Sequence, residues 1–199
     1  MNAQSNPGPV DFDLSRGRVD RRASAEAKGA ADEQVVLIPV SSLAALEKAA
    51  GHEVTKQFAR SIGVSFGRRV AARLGSADGV AGASLETFVS TLASEIAVSG
   101  WGALSLERWG RAMVLVVEHA PSLPAGLFAA LLEGAVEAAA AREVHGVALA
   151  GERTDGAAPR VLIASAKSAE RARRWLVEGA SEADVLKRLH EESKTGGAA

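Results

Sequence analysis

Two kinds of residue in this chain could do chemistry by type and spacing: one serine set between glycines, and a few scattered histidines. Gly63-Val64-Ser65-Phe66-Gly67 spells G-x-S-x-G, the letters of a nucleophile elbow. Such an elbow holds its serine on a strained turn between a strand and a helix. Here the letters fall inside a long helical pattern. Ser65 is therefore expected to be an ordinary helix residue whose hydroxyl bonds a preceding carbonyl. A serine hydrolase stands only as a remote alternative, and no catalytic residue is assigned.

The histidines are His52, His119, His145 and His190. No pair has the helical spacing of a metal site such as H-E-x-x-H. Glu118 and His119 are neighbours at a strand end, so they point to opposite faces. The chain has no cysteine, which removes thiolate metal sites, a thiol nucleophile and any disulfide. No P-loop is present, and no G-x-G-x-x-G follows a strand. The carboxylates are expected on solvent faces of helices, three or four residues from arginines or lysines. Neither a metal nor a cofactor is expected.

Charge narrows the partners. With 23 basic and 24 acidic residues the net charge is -1, without the basic surplus of a nucleic-acid binder. Aromatics make up 4% and there is no tyrosine, which disfavours a base-stacking platform. No apolar run approaches the ~18 residues of a membrane span, and the N-terminus lacks a secretory pattern. A cytoplasmic protein with no membrane partner is expected.

These residues need elements to position them. Residues 1–33 are polar and small, and are expected to be a disordered N-terminal tail. Within them Phe12 and Leu14 sit in an acidic-apolar cluster followed by Arg16 and Arg18. These four are candidates for a docking motif that orders on a protein partner. Residues 34–167 are expected to form the domain, 168–191 its C-terminal helices, and 192–199 a second tail. Val35–Val40 reads as a strand or extended lead-in, and Leu43–Ala50 as a brief helix capped by Ser41 or Ser42.

From His52 to Leu74, Val54, Phe58, Ile62, Phe66, Val70 and Leu74 recur every four residues, a slanting helical ridge. Beside it runs a row of small residues, Ala59, Gly63, Gly67 and Ala71. Glycine costs about 1 kcal/mol in a helix relative to alanine, so another backbone is expected close by. That backbone belongs either to the same chain or to a dimer partner. Gly75 ends this helix and 75–83 is expected to be a loop. Ser84 caps the next helix, whose buried stripe is Leu85, Phe88, Val89, Leu92, Ala93 and Ile96.

Trp101–His119 reads as a hairpin turning at Trp109-Gly110. Met113–Val117 is apolar on both faces, hence central and covered. Ser122 and Pro124 start a helix running to about Ala141, apolar nearly all round and so buried. A second hairpin follows, Glu143–Gly151 and Arg160–Ala164. Helices from Ser168 to Gly179 and from Ser181 to about His190 close the chain. Arg171-Ala172-Arg173-Arg174-Trp175 reads as an exposed basic face with Trp175 packed inward, or as a surface for an acidic partner or phosphates. Hairpins imply antiparallel pairing, so the fold class is α+β, an antiparallel sheet of two hairpins packed against helices.

The stretches Ser65–Gly75, Gly110–Glu118 and Gly126–Ala138, with Arg142-Glu143-Val144 after them, resemble the vinyl reductase (4-vinyl reductase) domain. Its fold is shared with small subunits of the TRAPP vesicle-tethering complex. The resemblance spans about residues 40–165. It implies a module that senses small apolar or aromatic molecules, or that dimerises within regulators. Many members hold zinc through cysteines of the last hairpin. Ala148 or Ala150, and Ala158 or Pro159, stand roughly where those cysteines would be, so that site is not expected here.

The first reading is a non-enzymatic regulatory or adaptor protein that forms a homodimer or heterodimer, with Ala59, Gly63, Gly67 and Ala71 as interface. The alternative is a sensor that holds an apolar small molecule between helices and sheet. Its candidate pocket is Phe66, Phe88, Trp101 and Phe128.

Overall fold

A computed structural model describes residues 10–13, 18–21, 33–35, 38–110, 112–149 and 157–195, with side chains described from 38 to 192 within those ranges. Strands β1 (Val10–Asp13), β2 (Arg18–Arg21) and β3 (Glu33–Val35) pair antiparallel in that order. This departs from the expected disordered tail. Strand pairing satisfies backbone groups with few apolar side chains, so composition alone does not register it. Of the candidate docking residues, Phe12 pairs with Val19 and Arg18 with Asp13 along the backbone. Their side chains, and Leu14 and Arg16 altogether, lie outside the described residues.

Of the expected lead-in, Val36 and Leu37 lie outside the described residues. β3 stops at Val35, and helix α1 (Val40–Ala50) begins directly after Pro39. Proline confines the residue before it to extended backbone and cannot itself continue a ladder. Helix α2 runs His52–Leu74 and ends on Gly75, left-handed at φ 89°, where a Cβ would be strained. A short helix α3 (Ala77–Gly82) occupies the expected loop. Helix α4 (Leu85–Val98) is capped by Ser84, whose Oγ accepts from the Thr87 amide at 3.1 Å.

Strands β4 (Ala103–Trp109) and β5 (Ala112–Glu118) form the first hairpin. Trp109 pairs with Ala112, so two residues make the turn, and Gly110 sits at φ 62°, the positive value that two-residue hairpin turns require. Helix α5 (Ala125–Ala140) follows, then strands β6 (His145–Ala148) and β7 (Arg160–Ala164), and helices α6 (Ala166–Val177) and α7 (Glu182–Thr195). α7 thus reaches past the expected tail boundary at 192.

The sheet is four-stranded and antiparallel in the order β4-β5-β7-β6. Alternate side chains along β5 and β7 enter two cores. Leu115, Val117, Val161 and Ile163 join Leu104 of β4 and the buried faces of α2, α4 and α5. Val114, Val116 and Leu162 join Ala169, Ala172, Val185 and Leu186 of α6 and α7. Burial of β5 on both faces, expected from its unbroken apolar run, follows from this layering.

α5 lies between the sheet and α2. Its near-continuous apolar surface is therefore used on both sides. Arg60 of α2 ties the two helices at their surface, at 3.3 Å from Glu133 and 2.6 Å from Glu137.

α7 opens with a reciprocal cap. The Asp184 amide donates to Ser181 Oγ at 3.2 Å, and Asp184 Oδ2 accepts from the Ser181 amide at 3.3 Å and its hydroxyl at 2.6 Å. These bonds from Ser181, with weaker help from Arg188 and Lys187, hold the carboxyl below its ordinary value of 3.8. The folded state therefore favours the charged form. That contribution is present above the unfolded aspartate value and is lost as pH falls through the lower folded value. In an NMR acid titration the Ser181 amide should shift with a midpoint below 3.8. Asp184→Asn should remove that step. A midpoint at or above the ordinary value would contradict the cap.

Candidate functional site

The G-x-S-x-G letters lie in the interior of α2. Ser65 Oγ donates to the Ser61 carbonyl, four residues back, at 3.5 Å. No strand precedes it and no elbow is formed, which withdraws the motif behind the hydrolase alternative. Among the described residues no three histidine or carboxylate groups are placed to hold a metal, and no helix is long and apolar enough to cross a membrane. Ala148 lies in β6 opposite Val161, Ala158 and Pro159 lie just before β7, and Ala150 is outside the described residues. None of these side chains has a donor atom for a metal.

The small-residue row is not a surface awaiting another chain. A Cβ on Gly63 would stand 1.9 Å from the Leu131 carbonyl oxygen, and one on Gly67 2.2 Å from that of Ala135. Across the same seam, a Cβ on Gly134 would stand 2.4 Å from the Arg60 carbonyl oxygen. Ala59 is fully buried in the same core and Ala71 packs at its margin. The proposed interface of Ala59, Gly63, Gly67 and Ala71 is corrected accordingly: α5 of the same chain fills it. Conversely, Val54 of the expected apolar ridge is exposed, and Phe58 and Ile62 are only half-buried.

The helical pair α2–α4 carries a buried charge cluster. Glu95 is fully buried, against the expectation that carboxylates face solvent. Its two oxygens meet Arg69 Nε and Arg73 Nη2, each at 2.8 Å. Arg69 also lies over the Phe66 ring at 5.1 Å. A carboxylate so placed is retained by paired hydrogen-bonded charge. Its packing between two helices marks it as a structural brace.

The four aromatics proposed as a pocket do share one core, but they do not enclose a space together. Trp101 and Phe128 meet edge to face, with centroids 6.1 Å apart. Phe66 packs in the same core beneath Arg69. Of the four, Phe88 lines a cavity between the helices and the sheet. That cavity, about 840 Å³ and partly open, lies where β5 begins and β7 ends. Val80, Leu85 and Phe88 of α3 and α4 form one wall, and Met113 and Ile163 belong to the sheet. Val136 and Ala140 come from α5, and Leu189 from α7. Both hydrophobic cores thus contribute to one cavity. Its polar lining is Arg142, Glu143, Ser165 and Ser168.

A second groove of about 650 Å³ runs beside β6, between α2, α5 and α6. Its charges are largely engaged. Lys56 pairs with Glu53 at 3.0 Å and Arg60 with Glu133. β6 is the outer strand of the sheet. Leu149 donates to Arg160 of β7 at 2.9 Å, so by antiparallel alternation Gly146 turns its backbone groups outward. Its amide donates to Glu133 Oε2 at 2.8 Å, and its carbonyl accepts from Arg173 Nη2 at 3.0 Å. The basic stretch around Arg171–Arg174 is thus partly committed within the chain. Arg171 pairs with Glu192, and half-buried Trp175 stacks under Arg188 at 5.5 Å.

The chain matches no protein-family model and no curated protein. Among solved structures it is similar to the phenol-responsive sensory domain of the transcription activator PoxR with phenol. Identity is 13%, with 84% of this chain and 90% of that chain covered at a TM-score of 0.56. The likeness is one of fold.

Proposed function

We propose that this domain is a sensory module that binds an apolar small molecule, and that the cavity between α3–α4, the sheet end and α6–α7 is where it binds. The observation that carries this reading is the cavity itself. Its volume of about 840 Å³ falls in the range of small-molecule sites, which are mostly apolar with a few polar groups. The fold likeness to a phenol-responsive domain supports it. In the same reading the vinyl-reductase resemblance points to ligand sensing without the zinc that many members carry. The adaptor reading is weakened, because the seam offered as its interface is occupied by α5.

Thermal melts with a panel of phenols, alkylbenzenes and naphthalenes test the proposal. A ligand at a hundred times its Kd stabilises by about 2.7 kcal/mol, or about 5–10 °C for a chain of this size. At least one compound should produce such a shift. Ala83→Trp, at a half-buried rim position of the cavity, should abolish it while the free variant still melts cooperatively. A panel without any shift, or an undiminished shift in Ala83→Trp, would overturn the assignment.

A further inference from the structure

The polar groups of the cavity are not scattered around it. His145 pairs with Ala164 across β6 and β7, so Arg142 and Glu143, just before β6, stand beside Ser165 and Ser168, just after β7. One end of an otherwise apolar cavity is therefore polar. The charges at that end are not equivalent. The Glu143 side chain is 79% exposed, and its carboxylate lies 3.3 Å from His145 Nε2 without a hydrogen bond between them. Glu137, a turn before Arg142 on α5, is taken by Arg60 at 2.6 Å. Arg142 is exposed and has no acidic partner among the described residues. Of the two serines beside it, Ser165 Oγ donates to Ser168 Oγ at 3.3 Å, which leaves the Ser168 hydroxyl to donate toward the cavity.

We infer that the ligand is an amphiphilic monocarboxylate, its ring or chain among Phe88, Met113, Ile163 and Leu189 and its carboxylate on Arg142 beside Ser165 and Ser168. The inference rests on the cavity reading proposed above. A guanidinium receives a carboxylate through parallel hydrogen bonds, and a hydroxyl adds to its shell. A neutral ligand would leave that end of the cavity merely hydrated. A cationic one would face Arg142.

Calorimetric titration of the full chain with 4-butylbenzoate and its neutral isostere 4-butylbenzamide at pH 7 separates the two proposals. The acid should bind about three- to tenfold more tightly, the advantage expected of a partly exposed charge-assisted pair. Arg142→Gln should narrow the ratio to under about twofold, the partner charge being gone. Equal affinity for acid and amide, or a ratio unchanged in Arg142→Gln, overturns the carboxylate assignment and leaves the cavity reading standing. Binding of neither compound, together with a silent panel of neutral aromatics, overturns both.

Discussion

Gly63→Ala should be among the most damaging single-methyl changes in this protein. In an open helix the same change stabilises by about 1 kcal/mol. Here the sign reverses, because the added carbon would stand 1.9 Å from a backbone oxygen of α5 and 2.8 Å from its carbon. No side-chain rotation relieves a clash with backbone, so α2 and α5 must separate along the seam. Overpacking of this kind typically costs about 1–3 kcal/mol and occasionally more, and we expect the upper end, a fall of about 6–12 °C in Tm. Gly82→Ala is the control, since a Cβ there meets nothing within 4 Å, and it should melt at or above the wild type. Oligomeric state, followed by light scattering, should not change in either variant. A folded Gly63→Ala with wild-type Tm and altered mass would return this seam to the role of an interface between chains.

The second large effect concerns Glu95. Replacing it with glutamine keeps its shape but leaves Arg73, only 9% exposed, without its carboxylate. Removing one member of a buried pair costs about 3–5 kcal/mol, which urea denaturation would read as a large drop in midpoint without a change in slope. Replacing both members by apolar residues of similar volume, Glu95→Leu with Arg73→Met, should recover much of the loss, because the desolvation penalty goes with the charges. If Glu95→Gln lies within about 1 kcal/mol of wild type, where surface changes fall, the cluster is not a brace.

These residues also show what could be read from the chain and what could not. The bounds of α2, His52–Leu74, follow from Gly51, Gly75 and the spacing between them, all local signals. The central, doubly covered β5 follows from its unbroken apolar run. Which face of α2 is buried does not follow. The larger residues suggest one stripe, yet Thr55, Ala59 and Gly63 are the buried ones over its first half, with Phe66, Gly67 and Val70 toward its end. Backbone proximity selects for missing side chains, and hydrophobicity does not score an absence.

Glu95 did carry a signal, a carboxylate three residues after Leu92 and one before Ile96, inside the apolar stripe of α4. Its partners Arg69 and Arg73 lie four apart on another helix, and only the fold brings them together. The cavity was hidden for the same reason. Aromatics are the lining that the sequence leads one to expect, but Phe66, Trp101 and Phe128 fill the core. The actual lining is drawn from helices and strands on both sides of the sheet, a juxtaposition with no local signature.

The Glu133 and Arg173 side chains that hold the backbone of Gly146 have a consequence for how molecules of this protein meet one another. The outer strand of a sheet is a template on which a second chain can crystallise as a further strand, the first step toward fibrils and swapped assemblies. At β6 that template is spoiled by two charges. The amide and carbonyl of Gly146, turned away from β7, are already held by Glu133 and Arg173. An incoming strand would have to displace a carboxylate and a guanidinium before making its first bonds there. Loss of both, in Glu133→Ala with Arg173→Ala, would open that edge and make concentrated solutions prone to growth of ordered aggregates.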